Sequence, residues 1–371
     1  MNILQLRTEF SDNGPGTQCL TISEELRKRG HNVFLASSGG YLTSKILDKK
    51  FKYYIIKEIA FGKRSFFNVV ISIHKIYKIL KNNKIDVVHA HNAASISLAN
   101  IASFFIFRKI KFFQSVRGVE MRKSFFWRNW IYKLNNYNAL FAVSNYTKNV
   151  LKSFGVNSNK IIVTHNGVDT QRFNILKKKK YSDEIRKEFN IPSDSVVIGI
   201  VGRQDGTKGH KDLVLAFKKM YNIFENVYVI LVGEGKALQK NIDLSKKLGI
   251  DDRCIFTGLR LDVEKLHASF DIFTLLSLKG MEMFPNVILE SMSYGNPFVG
   301  TNTTGVPEAA ENGEGFICEP NDIEDITNRL NMLVKSKKLR NSMGKSARKS
   351  IENKFNINNV VSYIEKAYLD M

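Results

Sequence analysis

The chain is short of the residues that staple or punctuate a fold. Its 371 residues include three cysteines and six prolines. Cys19, Cys254 and Cys318 lie far apart with no Cys-x-x-Cys pair. That excludes a disulfide scaffold and a cysteine zinc centre, and it points to a reducing compartment. All three read as buried small hydrophobes. Acid is scarce as well: 35 Asp and Glu stand against 56 Lys and Arg, a net charge of +21. The N-terminal MNILQLR lacks a basic stretch followed by an apolar one, so no secretory signal is expected. The longest weakly polar run, residues 93–107, is broken by Ser and Asn and falls short of the ~20 residues that cross a bilayer. An integral membrane protein is therefore not expected. Solenoid repeats and low-complexity tracts are missing too.

What is present is a globular composition, 43% apolar and 25% charged, long enough for two cored domains. The positive charge asks for an anionic partner: nucleic acid, a membrane surface or a phosphate-rich ligand. Part of it concentrates in residues 108–133, where Arg108, Lys109, Lys111, Arg117, Arg122, Lys123, Arg128 and Lys133 face one acid, Glu120. Phe and Trp are interleaved there, which suits a lipid headgroup interface or stacked single-stranded bases. A lysine-rich background with aromatics facing a core is the plain alternative.

Apolar runs rich in β-branched residues alternate with helical patterns. Strands are expected at 2–6, 32–37, 53–56, 86–90, 111–116, 139–144 and 161–164, with helices such as 18–29 and 66–82 between them. The series restarts at VVIGIVGR and continues through VYVILVG, CIFTG, IFTLLS, PFVGTN and GFICEP. Unbroken apolar strands alternating with helices indicate parallel sheets covered on both faces. Two series imply two Rossmann-like domains, expected at 1–175 and 190–350. The lysine-rich stretch 174–194 reads as a solvated linker between them, and 351–371 as a terminal segment ending in an amphipathic helix.

Two carboxylates, Glu282 and Glu290, stand eight positions apart around Pro285. Proline suits a first helical turn. Val287, Leu289, Met292 and Tyr294 follow at near-helical spacing, and Gly295 is a natural stop. Glu282 then sits on the loop entering a helix, and Glu290 in its first turns. A helix start attracts anions, and flanking carboxylates suit a ligand with both phosphate and hydroxyl groups, such as a sugar nucleotide. Two solvated glutamates are the alternative. Earlier, GRQDGTKG ends a strand at Arg203 and carries Lys208 towards a helix. Cations at the carboxyl edge of a parallel sheet sit where such folds bind ligands, and they can neutralise a leaving diphosphate without metal. Near the N-terminus, Gly14 and Gly16 form a turn between strand and helix that lets a phosphate approach the backbone, although turns need glycine anyway. His89 and His91 close a strand with no third ligand beside them, so no metal site is expected.

Residues 271–321 carry DIFTLLS, Glu-x7-Glu, SYGNPFV, TGVPE and GFICEP. Together they resemble the signature of the retaining glycosyltransferases of family 4. The segments RKRGHNV, AVSN and THNGVD are similar to the family as well. The resemblance implies a GT-B architecture, α/β, with two Rossmann-like doubly wound parallel-sheet domains facing across a cleft and a terminal helix crossing back to the first. It implies that Glu282 contacts the donor sugar, that Glu290 holds the ribose and that Arg203 and Lys208 grip the diphosphate. Gly14 and Gly16, and the segment Phe284, Pro285 and Asn286, fall to the donor as well. The donor is then a UDP- or GDP-linked sugar, with no cofactor and no metal; the chain contains no Asp-x-Asp. The acceptor is a lipid-linked saccharide or oligosaccharide of bacterial surface polysaccharide or lipopolysaccharide. The enzyme would be cytoplasmic and peripheral on the inner face of the membrane. Two positions depart from the pattern. Met283 stands where the family usually has Gly. Arg117, in SVRG, stands where it often has a His that lies by the donor sugar and acceptor, and either holds a phosphate or acidic group of the acceptor or marks a less active site. A non-catalytic nucleotide-sugar binder, a sugar-nucleotide epimerase or phosphorylase, and a nucleic-acid binder are the rivals. The last has no recognised module behind it.

Overall fold

The computed structural model describes every residue except 12, 13, 61, 64, 119–131, 133 and 134. The chain forms two compact units. One is Met1–Asn166 with Ile357–Met371; the other is Gly167–Asn356.

The first unit is built on a seven-stranded parallel sheet. Its strands are β1 (Asn2–Leu6), β2 (Asn32–Ser37), β3 (Lys52–Ile55), β4 (Val87–Ala90), β5 (Lys111–Val116), β6 (Ala139–Ala142) and β7 (Ile161–Val163). They lie in the order β3-β2-β1-β4-β5-β6-β7. β4 and β6 are buried along their whole length, as expected for strands covered on both faces. The order reverses between β1 and β4, which pair directly with Leu6 opposite Ala90. At such a reversal the connections leave in opposite directions and open a crevice at the carboxyl ends.

The C-terminal helix, Ile357–Asp370, belongs to this unit. It buries Ile357, Val360, Val361, Ile364, Ala367 and Tyr368, spaced three and four apart, in a cluster with Cys19, Leu26, Phe113 and Phe141. Arg29 Nη1 and His31 Nε2 hold Glu365 at 2.9 and 2.7 Å.

The second unit carries six parallel strands: β8 (Val196–Val201), β9 (Val227–Val232), β10 (Cys254–Gly258), β11 (Ile272–Leu275), β12 (Phe298–Thr301) and β13 (Gly315–Cys318). Their order is β10-β9-β8-β11-β12-β13, with the reversal between β8 and β11. Both sheets are thus doubly wound, with the crossover helices packed over them.

Some expectations need correction. The lysine run is not a linker. Lys178–Glu188 is a helix of the second unit, packed against the helix Val263–Ser269. Lys178 Nζ donates to the Tyr294 carbonyl (2.8 Å) and to Asn296 Oδ1 (2.7 Å), while Ile185 is buried and Arg186 pairs with Asp271 at 3.0 Å. One face of a charged segment suffices to anchor it when its alkyl stems and single Ile are covered. Gly14 and Gly16 do not form a turn ahead of a helix. They lie in its first turn, since the helix runs Gly14–Lys28. β8 ends at Val201, two residues before Arg203. In the helix after Pro285 it is Ile288 that is fully buried, whereas Val287 stays partly exposed. The three cysteines are buried and free. Of the basic-aromatic stretch, Glu120, Arg122, Lys123, Arg128 and Lys133 and the aromatics Phe125, Phe126, Trp127 and Trp130 lie outside the described residues, whereas Tyr132 packs against the core of the first unit. Among the described residues no helix is long and apolar enough to cross a membrane.

Candidate active site

The second unit brings its candidate residues to the reversal of its sheet. The loop after β8 carries Arg203, Asp205 and Lys208; the loop after β11 carries Glu282. The two loops meet through the backbone, with Leu278 N donating to Thr207 O at 2.9 Å. Gly209 makes the approach possible. Its φ is +80°, and a Cβ there would lie 2.2 Å from the Leu276 carbonyl oxygen. Only glycine tolerates both conditions.

This packing puts Lys208 Nζ 2.5 Å from Glu282 Oε1, with the two side chains only 18% and 12% exposed. Ser277 Oγ donates to the same carboxylate oxygen at 2.9 Å. Glu282 Oε1 therefore accepts from two donors on different loops. The loop itself is pinned from behind: Thr301 Oγ1 donates to Ser277 O (2.6 Å), Gly280 N donates to Thr303 Oγ1 (2.7 Å) and Gly305 N donates to the Glu282 carbonyl (3.3 Å).

Arg203 is 81% exposed, its guanidinium 3.5 Å from Asp205 Oδ2. Asp205 in turn accepts from Thr207 N (2.9 Å) and Oγ1 (2.5 Å). Burial alone would raise this carboxyl, but the Thr207 bonds and Arg203 outweigh it and hold Asp205 below the usual carboxylate range. His210, first residue of the helix His210–Tyr221, is pushed down to about 4 by burial. It is neutral at pH 7 and adds no charge beside Lys208.

Pro285 caps the helix Asn286–Met292 at φ −82°, ψ 129°, one position earlier than a first-turn proline. Asn286 opens that helix, and Gly295 follows its end at φ +67°. Phe284 is a core residue, its ring packed 5.4 Å from Phe355. Glu290, in the second turn, lies 3.4 Å from Nε2 of His267, which is fully buried among the rings of Phe173, Phe270 and Phe273. Nothing in the sequence singled out His267, because a lone histidine on a short helix carries no signal.

Lys208 and Glu282, with exposed Arg203 on the same loop as Lys208, put charge of both signs at the reversal of a doubly wound sheet, an arrangement that suits an anion also bearing hydroxyl groups. Gly14, Gly16 and Arg117 belong to the first unit. Arg117 follows β5, is partly buried, and its Nη1 donates to Asn166 Oδ1. Asn166 belongs to the THNGVD segment.

Comparison with known proteins gives this arrangement its family. Residues 182–350 match the family model described as Glycosyl transferases group 1, and residues 12–172 match Glycosyltransferase Family 4. The chain belongs to the family 4 glycosyltransferases of the GT-B fold. It is 27% identical to N-acetyl-alpha-D-glucosaminyl L-malate synthase of Bacillus anthracis, over 97% of this chain and 95% of that one. It is 28% identical to the UDP-Gal:alpha-D-GlcNAc-diphosphoundecaprenol alpha-1,3-galactosyltransferase of Escherichia coli, over 81% and 79%. Among solved structures, Anabaena HepE in complex with UDP superposes with a TM-score of 0.83 at 18% identity, covering all of both chains.

Proposed function

We propose that the second unit binds a nucleoside-diphosphate sugar, UDP-linked in preference to GDP-linked, and that the enzyme transfers its hexose with retention of configuration. The observation that carries this reading is the Lys208–Glu282 pair, enclosed at the sheet reversal with exposed Arg203 on the same loop. A diphosphate would take Arg203 and Lys208, a hexose hydroxyl would bond Glu282, and the ribose hydroxyls would bond Glu290. UDP in Anabaena HepE, which shares the fold, supports the choice of base.

The chemistry asked of such a site is stabilisation of charge on the departing phosphate. Positioned donors that act on developing charge are worth about 10²–10³ in rate apiece. The fixed cations supply positive charge where other enzymes place a divalent ion, so the transfer is proposed to need no metal. Retention would follow if the acceptor attacks the face the phosphate leaves and the leaving phosphate oxygen takes its proton. An inverted product in an anomer-resolved NMR assay would refute this step.

For the acceptor, the name of the Escherichia coli relative supports a lipid-linked saccharide of bacterial surface polysaccharide or lipopolysaccharide assembly. Exposed Phe104, Phe105 and Phe107 beside Arg108 and Lys109 support peripheral docking on the anionic inner face of the membrane. The deciding experiment is thermal unfolding with UDP, GDP, ADP and CMP and their sugars, for wild type beside Arg203→Ala. A ligand at one hundred times its dissociation constant adds about 2.7 kcal/mol. Stabilisation by one nucleotide, lost in the variant, is expected. Stabilisation by none of them refutes the donor assignment.

A further inference from the structure

The first unit holds a second cluster that the donor chemistry does not use. Arg7 follows β1 directly, His91 follows β4 and Arg117 follows β5. These strands are neighbours in the sheet, with Leu6 opposite Ala90 and Ala90 opposite Gln114, so Arg7 and His91 leave the carboxyl edge at one level and Arg117 follows two residues past Ser115 on the next strand. Their place is the β1/β4 reversal, where a doubly wound sheet opens its crevice.

Arg7 is 93% buried by its 7% exposure, yet its Nε and Nη1 have no hydrogen-bond partner; it lies over the Phe10 ring at 5.6 Å. Arg117 Nε and His91 Nδ1 are also buried without partners. Arg117 has a neutral acceptor, Asn166, and among the described residues neither arginine forms an ion pair with a carboxylate. Cys19 and Arg7 act electrostatically on Arg117, and Cys19 and exposed Glu9 act on Arg7. Burial raises the Cys19 thiol to about 12, so it stays protonated and supplies no counter-charge. Arg117 is pushed down by burial to about 10 and is still cationic at pH 7. The histidines beside them are filled from behind. His89 bonds Tyr368 OH (2.6 Å) and Ser115 Oγ (2.8 Å), and His91 Nε2 bonds Gln5 Oε1 (2.6 Å) while stacking on His89 at 4.5 Å.

A buried guanidinium beside a half-buried one, with no carboxylate on either among the described residues, is costly, because burying an unpaired charge is offset only by a partner. Free N–H groups of two guanidiniums are the donor set that recognises a planar or tetrahedral oxyanion. We propose that Arg7 and Arg117, with His91, form a binding site for an oxyanion group, carboxylate or phosphate, carried by the acceptor. The acceptor is then an acid. This rests on the glycosyl-transfer reading for the word acceptor, and on the first unit alone for the site.

The test uses the full chain with the donor site weakened by Arg203→Ala, so that phosphates report on this cluster. Thermal unfolding at constant ionic strength is followed with pyrophosphate, malate and, as background, sodium chloride. One of the two oxyanions is expected to stabilise the protein beyond the salt control. Its apparent affinity should fall at least tenfold in Arg117→Gln and in Arg7→Lys. Pyrophosphate as the better ligand identifies a diphosphate-linked acceptor; malate identifies a carboxylic acid. UDP stabilisation, measured in the same substitutions made without Arg203→Ala, shows that each variant is folded. Absence of any oxyanion effect beyond salt, or an effect that survives both substitutions, overturns the proposal. Loss of the UDP response in wild type with the oxyanion response intact sinks the donor reading and leaves this site standing.

Discussion

Removing Lys208 from beneath Glu282 tests the centre of the site. The two side chains are 18% and 12% exposed and meet at 2.5 Å, and among the described residues Ser277 is the other side-chain donor to that carboxylate oxygen. Breaking a fully buried pair costs about 3–5 kcal/mol because one charge is left uncompensated. Residual exposure lets water reach Glu282 in a Lys208→Met variant, so about 2–3 kcal/mol is expected here. Glu282→Gln removes the charge but keeps an acceptor for Lys208 and Ser277, and about 1–2 kcal/mol is expected from it. In the double variant neither charge is orphaned, so its cost should fall short of the sum of the singles by about 1–3 kcal/mol. Urea unfolding with unchanged m-values reads the stability cycle. Steady-state kinetics reads the functional half: Lys208→Met should lose about 10²–10³ in kcat if Lys208 meets charge that develops in the transition state. Additive single effects within ~0.5 kcal/mol would show that the contact carries no coupling. An unchanged kcat would show that Lys208 only builds the loop.

Further outcomes follow from other parts of the molecule. Gly209→Ala should destabilise by at least about 2 kcal/mol, since a Cβ at φ +80° adds backbone strain and would meet the Leu276 carbonyl at 2.2 Å; unchanged unfolding would refute the tight loop crossing. Tyr368→Phe leaves His89 Nδ1 buried without its partner and should cost about 1–3 kcal/mol, read by thermal or urea unfolding. His89, His91 and His210 are pushed down by burial, His89 to about 3 and His210 to about 4, so the folded chain binds fewer protons than the unfolded one. Their contribution is fully present above the ordinary value near 6.5 and is lost as pH falls towards those folded values. Each should add a slope of up to about 1.4 kcal/mol per pH unit below ~6.5. A flat stability profile between pH 7 and 5 at fixed ionic strength would contradict their burial as neutral rings.

The sequence by itself determined the alternation of strands and helices, and with it two parallel sheets. Runs such as VVIGIV and VYVILV are apolar on both faces and have no stable place except inside a covered sheet. It also supplied Arg203, Lys208, Glu282 and Glu290, because glycine-rich loops after strands and a proline before a helix are local signals. The helix at 178–188 was hidden, because four consecutive lysines read as solvated until one of them finds carbonyls at Tyr294 and Asn296. Tertiary structure alone decided who meets whom. Lys208 and Glu282 are 74 residues apart and come together only because β8 and β11 are neighbours at the sheet reversal. Arg7 carries no local signal, being a single arginine after a first strand. Strand order places it beside His91, at the edge that Arg117 also leaves 110 residues further on, and burial leaves its Nε and Nη1 without partners. Contacts of that range depend on strand order, which the local pattern of side chains does not encode.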